Sequence, residues 1–104
     1  MPSSGGAGPK RKGSRAEREV VKLLNDAGMS ARRVPLSGAA EGYEGDIACS
    51  DLPEPIEVKV GAQVPVTVLK WLDGKRTLFM RRDRGEWIVV MRWSDFRELG
   101  GTRA

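Results

Sequence analysis

Length, composition and charge limit this chain to one small basic domain. Its 104 residues allow a modest core, since a domain of this size buries only somewhat over ~60% of its unfolded surface. The 18 Lys and Arg residues exceed the 14 Asp and Glu residues, which favours a polyanionic partner; no histidine and a lone Cys49 argue against a zinc site and exclude an intramolecular disulfide. Hydrolytic chemistry would therefore need carboxylates, lysine and a hard metal ion.

Residues 1–12 are predicted to be a disordered basic arm. They hold few apolar groups, contain several Gly and Pro residues, and end in Lys10, Arg11 and Lys12. Residues 13–104 are expected to form a single domain. The chain shows no signal-peptide or membrane-span pattern, so a reducing, cytoplasmic setting is expected.

A first helix is predicted from Ser14 or Arg15 to Asp26. Ser14 can cap its first turn, and Gly28 is suited to ending it. Apolar residues recur at helical spacing along it, namely Val20, Val21, Leu23, Leu24 and Ala27.

The next segments are predicted to be strands. A short strand is expected over residues 31–34, then a loop of small residues over 35–42. Residues 43–49 and 55–60 are predicted to be two strands of a hairpin, because Pro53 and Pro55 mark a turn between them.

The second half of the chain is predicted to contain two helices and a hairpin. We favour a helix over residues 65–73, although its Val and Thr residues would equally suit a strand. Strands over 77–81 and 87–92 flank the turn at Asp83, Arg84 and Gly85, and a helix over 94–99 follows. The expected fold is α/β, with a mixed central β-sheet flanked by helices.

Three acidic residues and one lysine are the candidates for chemistry. In a strand over 55–60, Glu57 and Lys59 share one face, ~7 Å apart at ~3.3 Å per residue. An isolated pair of this kind is most often a surface ion pair. Here, however, Asp46 lies on the preceding strand, where hairpin pairing could bring its carboxylate to the same Mg²⁺ ion as Glu57.

Glu17 is the third acid, and it falls on the apolar stripe of the first helix with Val20, Val21 and Leu24. Two interpretations stay open. Glu17 either complements the helix dipole in the first turn, or belongs to a site that the helix covers.

Taken together, these motifs resemble the Hjc-type Holliday junction resolvases of archaea and phages, a branch of the PD-(D/E)XK nucleases. The resemblance covers roughly residues 13–60. Two departures are a Gly where the family has Pro before the Asp, and a stretch after Lys59 that is as short as in compact phage forms. The matching motifs are Gly13-x-Arg15-x-Glu17-Arg18-Glu19, Arg33, Ser37-Gly38, Gly45-Asp46-Ile47 and Ile56-Glu57-Val58-Lys59.

The resemblance implies a restriction-endonuclease-like core and a catalytic set of Glu17, Asp46, Glu57 and Lys59. Asp46, Glu57 and the Val58 carbonyl would hold Mg²⁺, for which Mn²⁺ would substitute, and Glu17 would reach the metal directly or through water. Lys59 would orient or help deprotonate the attacking water. Cleavage would leave a 5′-phosphate and a 3′-hydroxyl.

A homodimer acting on four-way DNA junctions follows from the same resemblance, because two nicks need two active sites. If the chain is phage-encoded, it would work in the host cytoplasm. DNA contacts are expected from basic residues and one serine, namely Lys10, Arg11, Lys12, Arg15, Arg18, Arg32, Arg33, Ser37, Lys70, Lys75 and Arg76.

Several alternatives stay open. The chain could be another PD-(D/E)XK repair or restriction-like nuclease, or a DNA-binding protein without catalysis. Trp71, Trp87 and Trp93 could stack on exposed bases, although packing in the core or in a dimer is favoured.

Overall fold

A computed structural model of the chain describes residues 3–35 and 46–101, and among these the side chains of residues 13–35 and 46–100. The described residues contain three helices and four short strands in the order αββαββα. The chain divides into two compact units, Met1–Val64 and Pro65–Ala104, which are described separately. The single domain over 13–104 stays a prediction.

Helix α1 spans Ser3–Asp26 and so begins well before the predicted start at Ser14 or Arg15. Lysine and arginine are good helix formers, so the basic run can continue the helix. Ser14 therefore lies inside α1 and is not its cap.

The end of α1 agrees with the prediction. Gly28 adopts a φ of 92°, which favours glycine, and its amide donates to Asn25 O at 3.0 Å. The amide of Met29 donates to Leu24 O at 3.0 Å, completing a Schellman motif that satisfies the last carbonyls of the helix.

The first unit is built from α1 and a two-stranded antiparallel ladder. Strand β1 spans Ala31–Arg33 and pairs with β2, which spans Ile47–Cys49. The fully buried apolar residues described in this unit are Leu24, Ile47 and Cys49. Burying a side chain such as Leu24 or Ile47 contributes roughly 1.5–3 kcal/mol, so this small core holds the helix to the ladder.

The predicted strand over 55–60 is wrong in its extent. Only Ile56 pairs, in an isolated antiparallel bridge to Ile47. Pro55 has no amide to donate, and the amide of Val58 donates to the Asp46 side chain and not to a neighbouring strand. The segment therefore runs beside β2 without forming a ladder. Residues 36–45 lie outside the described ranges. They include most of the predicted loop over 35–42 and the start of the predicted strand over 43–49.

The second unit follows the prediction closely. Helix α2 spans Val66–Leu72, which decides the helix-or-strand ambiguity, and Gly74 follows it with a φ of 73°. Strands β3 (Thr77–Met80) and β4 (Ile88–Met91) form an antiparallel hairpin, and α3 spans Trp93–Gly101.

The described strands form two separate two-stranded antiparallel sheets, where one mixed central sheet was expected. The structure thus shows a mixed α/β protein. Because 55–60 adds only a single bridge, the β1–β2 sheet has no third strand within the described residues. None of the helices in the described ranges is both long and apolar enough to cross a membrane.

Trp71 and Trp87 are not buried in a core within the described part of the chain. Trp71 and Trp87 are 54% and 56% exposed. Trp93 is half-buried and packs against Phe96, with ring centroids 5.8 Å apart.

Asn25 links the end of α1 to β1. Its Nδ2 donates to Ala31 O at 3.1 Å, and its Oδ1 accepts a hydrogen bond from Ala31 N at 2.8 Å. The amide side chain thus pairs with the backbone of the first strand residue as a neighbouring strand would.

Asn25→Ala is expected to lower the free energy of unfolding by about 1–2 kcal/mol, because both hydrogen bonds are lost. Asn25→Asp should recover at most part of this loss, since it keeps an acceptor for Ala31 N but has no donor for Ala31 O. Urea titrations followed by circular dichroism measure both variants. An unchanged unfolding midpoint for Asn25→Ala would contradict this role.

Candidate active site

Asp46 is fixed between two segments of the first unit. Its amide donates to Ile56 O at 2.7 Å, and its carbonyl accepts from Val34 N at 3.0 Å. Its side-chain Oδ2 accepts a hydrogen bond from Val58 N at 2.8 Å. Three hydrogen bonds therefore hold this half-buried aspartate between the end of β1 and the segment that contains Glu57.

The Asp46 carboxylate lies next to the backbone of Glu57. The Val58 nitrogen that it contacts is covalently bonded to the carbonyl carbon of Glu57. The sequence predicted that these two acids would be brought together by strand pairing. In the structure, a side-chain hydrogen bond and one bridge bring the two segments together.

Glu57 and Lys59 form an ion pair, with Lys59 Nζ 3.3 Å from Glu57 Oε2. This contact agrees with the expectation that the two side chains share one side of the segment. Their side chains are 54% and 71% exposed, and exposed pairs of this kind contribute only about 0–1 kcal/mol. A ligand or a metal ion can therefore replace the pairing at little cost.

Glu17 lies on the face of α1 that was expected, together with the half-buried Val20 and Val21. Its side chain is only 23% exposed, and its Oε1 lies 3.1 Å from both Nε and Nη2 of Arg33. Nη2 of Arg33 also donates to Ser14 Oγ at 3.2 Å. Arg33 thus ties strand β1 to α1, a role that the sequence did not reveal.

The four predicted catalytic residues form two groups in the structure. Asp46 lies against the segment that carries Glu57 and Lys59, whereas Glu17 is paired with Arg33. Residues 13–35 and 46–100 contain no cluster of three or more Asp, Glu, His or Cys side chains arranged to hold a metal ion. Glu17 would have to give up its pairing with Arg33 before it could act as a ligand.

The donor set of Asp46, Glu57 and the Val58 carbonyl suits a hard divalent cation. All three groups offer oxygen atoms, which Mg²⁺ and Mn²⁺ prefer, and Mg²⁺ usually needs only one or two carboxylates from a protein because water and substrate phosphate supply the rest. The residues present thus fit a magnesium ion better than they fit zinc.

The predicted DNA-binding residues differ in their surroundings. Arg15, Arg18, Arg32, Lys70 and Lys75 are exposed. The side chains of Lys10, Arg11 and Lys12, and the whole of Ser37, lie outside the described residues.

Arg76 is already occupied by acidic partners. Its Nε donates to Asp95 Oδ1 at 2.6 Å, and its Nη2 donates to Glu98 Oε1 at 2.7 Å. The hydrogen bonds to Asp95 and then Glu98 raise the pKa of Arg76 above its ordinary value. Since two carboxylates offset its charge, Arg76 is a weaker candidate for binding phosphate than the sequence suggested.

The structure is thus that of a mixed α/β protein in which two acids and a lysine lie on adjoining segments. The family model for the archaeal Holliday junction resolvase (Hjc) matches residues 8–97, and the chain therefore belongs to that family. Membership implies a nuclease that acts on branched DNA, and Hjc resolvases are metal-dependent. No solved structure matches the chain.

The hydrogen bond from Val58 to Asp46 predicts a difference between two substitutions. In metal-free buffer, Asp46→Ala should lower the free energy of unfolding by about 1–3 kcal/mol, because the Val58 amide loses its acceptor. Asp46→Asn should lower the free energy of unfolding clearly less, since the side-chain amide oxygen of the asparagine can still accept that hydrogen bond. Thermal unfolding with EDTA present measures both. Equal stabilities of Asp46→Ala and the unchanged chain would contradict the contact.

Proposed function

We propose that this protein is a metal-dependent endonuclease that resolves four-way DNA junctions by paired nicks. Family membership supports the substrate class. The observation that carries the chemistry is the Asp46 carboxylate held against the Val58 amide, directly beside the Glu57–Lys59 ion pair. We further propose that the site belongs to a PD-(D/E)XK core, because the order Asp46, Glu57, x, Lys59 matches that motif.

In this proposal Asp46, Glu57 and the Val58 carbonyl hold Mg²⁺, and Mn²⁺ can replace it. The bound ion would supply Lewis-acid polarisation of the scissile phosphate and a lower pKa for the attacking water. Glu17 would join through water after release from Arg33. Phosphate contacts could drive that release, because a DNA phosphate competes with Glu17 for the guanidinium of Arg33.

Lys59 has a separate role in this proposal. Its ammonium lies 3.3 Å from Glu57 Oε2. With Glu57 as a metal ligand, Lys59 would orient the attacking water and stabilise charge that develops on the phosphate oxygens. The products would carry 5′-phosphate and 3′-hydroxyl ends.

A junction needs two nicks, so we propose a homodimer with two-fold symmetry that works in the cytoplasm. The exposed arginines Arg15, Arg18 and Arg32 would bind phosphates of the arms. Such contacts position the DNA without reading its sequence, which suits recognition of a junction by its shape.

Asp46→Asn, Glu57→Gln and Lys59→Ala are each expected to lower Mg²⁺-dependent nicking of an immobile four-way junction by at least about 100-fold, because each removes a group that acts on the reacting phosphate or its metal. Junction affinity, measured by fluorescence anisotropy, should stay within a few-fold. Asp73→Asn, which neutralises an exposed carboxylate of the second unit, is the matched control and should nick normally.

Two outcomes would reject parts of this proposal. Preference for linear duplex over junctions, in a panel that includes flaps and forks, would favour a different nuclease of the same superfamily. Failure of the unchanged protein to nick any of these DNAs with Mg²⁺ or Mn²⁺, while still binding junctions, would favour a DNA-binding protein without catalysis.

Arg32 and Arg33 are neighbours with different surroundings, and this predicts different effects on binding. Arg32→Ala should reduce the slope of log affinity against log salt by about 0.9, the value for one lost phosphate contact. The free energy of unfolding of Arg32→Ala should not change, since Arg32 makes no ion pair within the described ranges. Arg33→Ala should also lower the free energy of unfolding, because Glu17 and Ser14 lose their partner. Identical stabilities of the two variants would contradict the assignment.

A further inference from the structure

One face of the β3–β4 hairpin exposes large apolar side chains. Phe79, Trp87 and Val89 are 61%, 56% and 52% exposed. Phe79 pairs directly with Val89, and side chains two residues apart on a strand share a face, so Arg81 follows Phe79 and Trp87 precedes Val89 on the same side. We call Phe79, Arg81, Trp87 and Val89 the aromatic face.

The members of the aromatic face hold one another in place. The rings of Phe79 and Trp87 meet edge to face, with centroids 6.5 Å apart and an interplanar angle of 78°. The guanidinium of Arg81 lies over the Trp87 ring, 4.7 Å from its centroid. Aromatic and cation–π contacts are both attractive, so together they favour this arrangement of the exposed side chains.

Arg82 and Arg84 lie at the end of the hairpin beside the aromatic face, interleaved with the acidic residues Asp83 and Glu86. The turn carries Arg82 and Arg84, both exposed and without ion-pair partners in the described part of the chain. The turn is tight, since Gly85 N donates to Arg82 O at 2.8 Å and Arg84 adopts a φ of 60°. Cations are therefore displayed next to flat apolar rings.

This combination fits an unpaired nucleotide. A base can stack on an aromatic ring or on a guanidinium plane, while its phosphate binds a nearby arginine. A second copy of the chain fits less well. A two-fold contact would pair the aromatic face with itself, and that face contains an arginine but no carboxylate to complement it.

We propose that the aromatic face binds unpaired nucleobases of single-stranded DNA by stacking on Phe79 and Trp87, with Arg82 and Arg84 binding the phosphates. The proposal takes from the proposed function only that the ligand is DNA. It adds a binding surface that recognises unpaired segments, separate from the residues that we assign to cleavage.

The test measures binding of a labelled single-stranded thymidine oligonucleotide to the full chain by fluorescence anisotropy, with EDTA to prevent cleavage. Trp87→Ala and Phe79→Ala are each expected to weaken binding by about 5- to 100-fold, the range for one lost base stack. Trp87→Phe should keep most of the affinity because it keeps a ring. Trp71→Ala removes an equally exposed tryptophan outside the hairpin and is the matched control.

Salt dependence separates stacking from charge. Trp87→Ala should shift the affinity without changing the slope of log affinity against log salt, whereas Arg82→Ala should lower that slope by about 0.7 for a single strand. Circular dichroism should show the folded state for each variant. Trp87→Leu keeps apolar bulk but lacks a ring, so it should weaken binding as much as Trp87→Ala does. This second variant still tests stacking if the alanine substitution disturbs the fold.

Three results would overturn the proposal. The first is unchanged oligonucleotide affinity in Trp87→Ala and Phe79→Ala, and the second is an equal loss in Trp71→Ala. The third is a change from dimer to monomer in Trp87→Ala by sedimentation, which would assign the face to a second copy.

The proposed nuclease activity is tested independently of the aromatic face, because its test compares junction nicking by the unchanged protein and by Asp46→Asn. Oligonucleotide binding that depends on Trp87 would support the aromatic face even if Asp46 proved irrelevant to nicking.

Discussion

The fold of the first unit and its proposed chemistry both depend on the hydrogen bonds of Asp46. Its backbone joins the end of β1 to Ile56, and its carboxylate accepts the amide of Val58. A strand ladder would have used that amide for backbone pairing and would have left the carboxylate free. Because the side chain takes the place of a neighbouring strand, the protein's own hydrogen bonds hold the aspartate beside the backbone of Glu57. The structural contact and the proposed metal ligand are thus the same carboxylate.

The charges around this site are paired weakly, and this suits a surface that must receive a polyanion. The Glu57–Lys59 pair is largely exposed, and the Glu17–Arg33 pair is partly so. Each pair keeps its acid from repelling incoming phosphate. The Glu57–Lys59 pair can be exchanged for phosphate or metal at small cost, because exposed ion pairs contribute little free energy, whereas the Glu17–Arg33 pair also holds β1 to α1. Arg76 differs, since two carboxylates hold it and its charge is offset within the second unit.

Local signals predicted local features correctly. The glycine that ends α1, the turn at residues 83–85 and the placement of Glu17 on the apolar stripe all depend on residues within a few positions of one another. Contacts between distant segments were not predictable from periodicity. Arg33 meets Glu17 from 16 residues away, and Arg76 meets Asp95 from 19 residues away. The strand over 55–60 was overpredicted because alternation in the sequence does not show that a side chain will capture the amide of Val58.

We propose that Asp46 and Glu57 hold one divalent cation. Binding of Mn²⁺ to the DNA-free protein, followed by electron paramagnetic resonance, tests it most directly. We expect one site per chain that Mg²⁺ competes for, and loss of that site in both Asp46→Asn and Glu57→Gln. Retention of the site in both variants, or a wild-type protein that binds no Mn²⁺ at millimolar concentration, would contradict it.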